Sequence, residues 1–334
     1  MTPARRRVLV VAWSVVLALS GGVPAARGAA PARAFSVEAA AFPVEPAPGL
    51  NQTALGVRPA ATRAALSNPP AVAYGRAAAL DLGTIELYTG PPPPESVAEC
   101  DTGSDNVPDD ATAAPLDMQL SARCTTAPAA DVRAVARSFS SSGLETAGLS
   151  SRVQADGGAD AVVAEAVVSA HDVVLGPLVV GTVVQRASAR ADGRPGGATA
   201  TARVSVSSAS VAGTPVIIGP DGVEVDEERV PLELVPAATA AVRDALGQGG
   251  YTDIRVAQPV TEASPDGSSA SVRGGGLSVL FTRNDPTENY FLRMTLAGAS
   301  LSVDLGPPPL VGPAPSGGPR STDKEAPANV IRRK

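Results

Sequence analysis

From Ala198 to Ser207 the chain alternates residue by residue. Ala198, Ala200, Ala202, Val204 and Val206 fall on one side, and Thr199, Thr201, Arg203, Ser205 and Ser207 on the other. A period of two is the signature of a β-strand with one buried and one wet face, and a helix would scatter these residues around its circumference. Similar alternation marks Leu292 to Leu296 and Ala299 to Leu305. Ala159 to Val168 and Val173 to Val184 are denser in Val, as expected of strands buried on both faces. The chain is therefore expected to be mainly β.

The alternation changes phase at glycines. Leu80 and Leu82 are followed by Gly83 and then by Ile85 and Leu87. Ala270 and Val272 precede Gly274 to Gly276, after which Leu277, Val279 and Phe281 take the other parity. Leu292, Met294 and Leu296 give way past Gly298 to Leu301, Val303 and Leu305. One extra residue at a β-bulge would shift the phase while keeping one face in the core, and it would bend the strand. A tight turn into a new strand is the alternative. Gly176 to Gly181 and Gly213 to Gly219 are alike and read as two similar hairpins. One helix is expected at 236–246, with Pro236 in the first turn. Val235, Ala238, Val242 and Leu246 would share a face, and Gly247, Gly249 and Gly250 would end it. Tyr251 to Val256 returns to a strand. The architecture expected is bent antiparallel sheets, sandwich- or roll-like, with one packed α-helix near 236–246.

Composition limits the function. Hydrophobic residues are 44% of the 334, but Ala supplies much of that, and aromatics are only 3%. The net charge of −6 argues against a nucleic-acid binder. A single His excludes a His-rich metal site. Lys324 and Lys334 are the only lysines.

The first 30 residues have the three-part layout of a secretory signal peptide. Arg5, Arg6 and Arg7 are followed by an apolar run from Val8 to Leu19, then by Gly21, Gly22 and Pro24 and small residues. The run falls short of the ~20 residues a spanning helix needs, so no membrane span is expected after cleavage. Removing 1–30 takes four Arg and no acid, which moves the net charge to −10. Residues 31–70 read as an Ala/Pro-rich extended segment with one strand at Phe35 to Val44. Residues 71–306 read as the β-rich domain, and 129–158 show no clear period. Residues 307–334 read as a disordered Pro/Gly-rich tail with a basic end, Arg332-Arg333-Lys334.

Cys100 and Cys124 are the only cysteines, and export favours a disulfide between them. The 100–124 loop begins with Asp101, Asp105 and Asp109 at spacings used by Ca²⁺ loops. It partly resembles the calcium repeats of thrombospondin type 3, though Gly103 stands where an acid belongs, Asn106 replaces a turn glycine and there is one copy. The plainer alternative is a solvated acidic loop.

Catalytic constellations are sparse. His171 is the only imidazole base, and no Gly-x-Ser-x-Gly elbow accompanies it. The serine run from Ser138 to Gly143 reads as a loop. Glu224, Asp226, Glu227 and Glu228 cluster beyond a Pro220-Asp221-Gly222 turn, as at a charged strand exit, whereas a glycosidase needs acids on opposite walls of a cleft. Gly274 to Gly276 lack the Gly-Lys-Ser/Thr of a phosphate loop. Asn51-Gln52-Thr53 matches a glycosylation acceptor.

Three runs carry a resemblance: Ala-Ser-Ala-Arg-Ala-Asp-Gly at 187–193, Ala-Thr-Ala-Thr-Ala-Arg-Val at 198–204 and Val-Ala-Gly-Thr-Pro-Val-Ile-Ile-Gly at 211–219. The chain resembles uncharacterised secreted β-rich proteins of high-GC bacteria over residues ~160–305. The resemblance implies an exported β protein and transfers no catalytic residues. The function expected is an exported, non-enzymatic envelope or extracellular protein acting through interaction surfaces on a protein or envelope component, with no cofactor unless the acidic loop takes Ca²⁺. An apolar-ligand (lipid) carrier between curved sheets is the alternative, and a secreted hydrolase comes third.

Overall fold

The described residues form twenty strands and one α-helix. The computed structural model describes residues 34–47, 58–81, 96–115, 117–141, 143–284 and 289–306. The signal-peptide segment, the tail 307–334, the 51–53 acceptor and the phase change at Gly83 lie outside them. The first sheet contains β1 (Phe35–Ala47), β2 (Arg58–Asn68), β3 (Val72–Asp81), β4 (Val97–Asp101), β16 (Tyr251–Ala257), β17 (Val260–Ala263), β18 (Ser269–Gly274), β19 (Gly276–Asn284) and β20 (Asn289–Leu305). The second contains β5 (Asp110–Ala113), β6 (Met118–Thr125), β7 (Ala129–Ala136), β8 (Phe139–Ser141), β9 (Leu144–Thr146) and β10 (Gly148–Gly157). It continues through β11 (Val162–Leu175), β12 (Leu178–Ala191), β13 (Thr199–Val211), β14 (Thr214–Gly219) and β15 (Gly222–Val225). The helix α1 spans Val235–Gln248.

Both sheets are antiparallel and stack as a sandwich. The first runs β16-β19-β20-β1-β2-β3-β4, with β18 also on β20, and the second runs β15-β14-β13-β12-β11-β10-β7-β6-β5. Each strand faces its counterpart: β3 lies over β6 and β7, β2 over β7 and β10, β1 over β10 and β11, and β20 over β11 and β12. The mainly β expectation holds, and the helix expected at 236–246 is there. Within 31–70, the described strands β1 and β2 belong to the β domain as interior strands of the first sheet. The segment 129–158 holds β7 to β10. The period of β10 is hidden because its inward positions are Leu149, Ser151, Val153, Ala155 and Gly157, three of the five small or polar.

Alanine is the commonest buried residue among those described, so the layers meet through small side chains and glycines receive the large ones. A methyl on Gly157 would stand 2.5 Å from Phe35 Cζ, which places the Phe35 ring of β1 over that glycine of β10. A methyl on Gly75 would stand 2.7 Å from Val132 and 2.9 Å from Cys100 Sγ. The Cys100–Cys124 bridge, Cα atoms 5.7 Å apart, ties β4 of one sheet to β6 of the other. That lateral edge is closed covalently, and the opposite edge, between β15 and β16, is covered by α1.

The phase changes at Gly274–Gly276 and near Gly298 are real, but no inserted residue causes the one at Gly274–Gly276. Gly274 pairs with Ala299 and Leu277 with Leu296, so the register against β20 is the same on both sides. Instead, neighbouring strands change phase together. The line crosses Ala60 on β2 (φ 51°), Pro43 on β1, Ala297 on β20 (φ 58°) and Gly276 at the head of β19 (φ 103°). A second line crosses the other sheet at Asp172 on β11 (φ 48°), Gly181 on β12 and Ser208 on β13 (φ 52°). A concerted change keeps every inward side chain inward without shifting the pairing.

Each kink takes backbone groups out of the ladder, and a buried carbonyl then needs another donor. The second sheet supplies two. Ser151 Oγ donates to the Ala60 carbonyl at 2.5 Å, and Gln185 Nε2 donates to the Gly274 carbonyl at 2.7 Å. Both are polar residues on inward faces, 1% and 0% exposed.

Candidate functional site

At the edge away from the disulfide, the β14–β15 hairpin turns at Gly219–Gly222, as Pro220-Asp221-Gly222 implied. The chain then leaves β15, makes a 3-10 turn at Leu232–Leu234 and enters α1 at Val235. Helix and strands enclose a half-open cleft of about 820 Å³. Val225, Val242 and Ile254 are buried along it, and Leu246 and Tyr251 complete the apolar floor. The helix is otherwise largely exposed and meets the core through Ala238, Val242, Ala245 and Leu246, three of them on the face expected from its spacing, while Val235 lines the cleft. Gly250, at φ 79°, turns the chain from the helix into β16. The Tyr251 ring lies edge-on to Phe281 with centroids 5.5 Å apart, and burial pushes its hydroxyl pKa upward.

Carboxylates form the rim. Glu224 comes from β15, Asp221 from its turn, Asp226, Glu227 and Glu228 from the strand exit, and Asp253 from β16. Asp226 is buried; it caps the Glu228 amide at 3.2 Å and pairs with Arg229 at 3.2 Å. Asp253 pairs with Arg255 at 3.4 Å. Asp221, Glu224, Glu227 and Glu228 are exposed and make no ion pair with any described residue. Among the described residues, Arg243 of the helix is the one cation on the lining. The strand exit read from sequence is therefore one wall of a concavity. Asp253 and the helix, remote in sequence, supply the rest, and no local pattern signalled that.

The other sequence candidates stand apart from the cleft. His171 is exposed on the outer face of the second sheet, beside the kink at Asp172. Its Nε2 lies 3.0 Å from Ser169 Oγ, which lies 2.7 Å from Ser150 Oγ, while Nδ1 is 3.4 Å from Thr182 Oγ1. A hydroxyl, not a carboxylate, stands where a triad places its orienting acid. Ser138 to Gly143 is not a free loop, because β8 and β9 pair as a hairpin.

Asp101 accepts from the Gly103 amide at 2.8 Å, and Asp105 and Asp109 are exposed. Among the described residues no three His, Cys, Asp or Glu side chains are placed to hold a metal ion, so these three aspartates are not gathered as a Ca²⁺ loop requires. Gly274 to Gly276 form the kink, not a ligand loop. No described helix is long and apolar enough to cross a membrane. Comparison with protein-family models, curated proteins and solved structures finds no match.

Proposed function

We propose that the protein is an exported, non-enzymatic interaction protein, akin to secreted β-rich proteins of high-GC bacteria, and that the cleft recognises a cationic polypeptide segment. The observation that carries this is the cleft itself: an apolar floor under a rim whose four exposed carboxylates lack partners among the described residues. Unpaired like charges around a low-dielectric concavity raise the local concentration of an opposite charge and favour its docking. The signal-peptide layout and the Cys100–Cys124 bridge support an extracytoplasmic site of action. A lipid carrier has less support, because inward side chains of both sheets form one continuous packed core. A hydrolase has less as well, since His171 sits on an open sheet face.

A hexa-arginine peptide titrated into the protein tests the reading. Binding is expected to weaken with salt and to fall at least tenfold in the double variant Glu224→Arg/Glu228→Arg. Equal binding by the wild type and this variant would refute the assignment of the cleft.

A further inference from the structure

We infer that the open edge of β13, Thr199–Ser207, is a docking site for an extended acidic polypeptide, which adds to the second sheet as a further antiparallel strand. β13 pairs with β12 from Thr199 to Val211, but β14 meets it only at Ala209–Val211. On the other side of the kink at Ser208, no described strand pairs with the second side of Thr199–Ser207. β17 and β18 of the first sheet pass over its inward face instead.

The ladder fixes which groups face this edge. The Ala212 amide donates to the Pro177 carbonyl at 2.8 Å, in register with Val211 opposite Leu178. Hydrogen-bonded and non-hydrogen-bonded pairs alternate in an antiparallel ladder. The buried Val211 therefore turns its amide and carbonyl away from β12, toward Thr214 of β14. In a strand of L-residues, side-chain face and ladder side are coupled, so every inward residue of β13 does the same. Ala200, Ala202, Val204 and Val206 are inward, opposite the buried Ala189, Ala187, Gln185 and Val183, and they are only half-buried. Their amides and carbonyls face the open edge, which is the template that strand addition uses. Sheet edges are commonly guarded by short length, charge or Pro. Among the described residues β5, β15 and β17 have four residues each and β4 has five, and β16 carries Asp253 and Arg255. Thr199–Ser207 is long, has no Pro and holds one charge, Arg203.

Charge names the occupant. Arg203 lies directly opposite Arg186 of β12 on the outer face, and both are exposed. Neither forms an ion pair with a described residue. Like charges directly opposite one another destabilise a sheet, and an acid on the next strand relieves them. Arg190 is taken by Asp192 at 3.4 Å. Glu165 of β11 lies opposite Ser188, further from the edge, and Glu262 of β17 is turned with Ser271 to the outer face of the first sheet. An added strand would meet Arg203 at a non-hydrogen-bonded pair, where side chains stand closest. A second copy pairing through the same edge would gather Arg186 and Arg203 from both chains, which disfavours it against an acidic strand. The edge shares no residue with the cleft lining.

The probe is a capped peptide alternating Val and Glu over ~9 residues, the length of the edge, titrated into the full chain. It should bind, weaken in 0.5 M salt, and bind about tenfold more tightly than the Val/Lys analogue. Methylating its Val amides, which face β13 when Val points inward, should abolish binding, whereas methylating its Glu amides should not. Arg186→Glu/Arg203→Glu should reverse the preference to Val/Lys. Val204→Pro removes an amide that β12 does not use and should also abolish binding, and the methylated peptides read the same groups without altering the protein. No binding, equal binding of the Val/Glu and Val/Lys peptides, or equal effects of the two methylation patterns would overturn the inference. Dimers of the wild type that dissociate in Val204→Pro would assign the edge to a second copy and overturn it too.

Discussion

Ser150 and Ser151 are neighbours on β10 that face opposite ways, and they isolate the role of the kink. Ser151 is 1% exposed and donates to the Ala60 carbonyl across the sandwich. Ser150 lies on the outer face and touches Ser169. Ser151→Ala removes one oxygen and little volume. It leaves a buried carbonyl without that donor, at a cost of about 1–3 kcal/mol. Ser150→Ala removes a partly wet hydroxyl and should stay within ~0.5 kcal/mol. In a protein of this size about 2–4 °C of Tm accompanies each kcal/mol. The internal variant should therefore melt ~2–12 °C lower and the outer one within ~2 °C of the wild type. Thermal unfolding followed by circular dichroism at neutral pH decides it. Equal shifts in the two variants would show that the Ala60 carbonyl does not depend on Ser151, and the account of the kink as a site of cross-sheet repair would fail.

Four further outcomes are expected. Cys100→Ala/Cys124→Ala opens a loop of about 25 residues worth about 3.5 kcal/mol in the chain-entropy model, so hydrogen exchange should rise first in β3, β4 and β6; unchanged stability would refute the staple. Ser208→Gly relieves a left-handed residue and should raise Tm slightly, the relief exceeding the added chain entropy by up to ~1 kcal/mol. Gly276→Ala should cost about 3 kcal/mol or more, because its methyl would overlap the Leu296 carbonyl at φ 103°; calorimetry of the two variants compares them. Asp266 is held down at about 2 by the Ser268 amide and the Ser268 and Ser264 hydroxyls. A folded-state pKa below the unfolded value of about 3.8 gives stability that is present above pH ~4 and lost as pH falls toward 2. The Tm difference between the wild type and Asp266→Asn should therefore shrink over that window, and a constant difference would refute the hydrogen-bond assignment.

What the sequence determines here is whatever depends on neighbours along the chain. The β class, the helix face of Ala238, Val242 and Leu246, the Pro220-Asp221-Gly222 turn and the phase changes at Gly274 and Gly298 follow from side-chain period and backbone sterics. The pairing of Cys100 with Cys124 follows from there being no other cysteine. Strands whose inward residues are Ser, Ala or Gly, such as β10, stay hidden because their hydrophobic contrast is too low to show a period. Tertiary structure alone decides what depends on partners across the sandwich. It turns isolated phase changes into kinks aligned from strand to strand, because antiparallel register forces neighbours to change together. It makes Ser151 and Gln185 donors to carbonyls that lie 91 and 89 residues away in sequence. It also sets Asp253 and α1 opposite the acids beyond β15, and so converts a charged strand exit into a cleft.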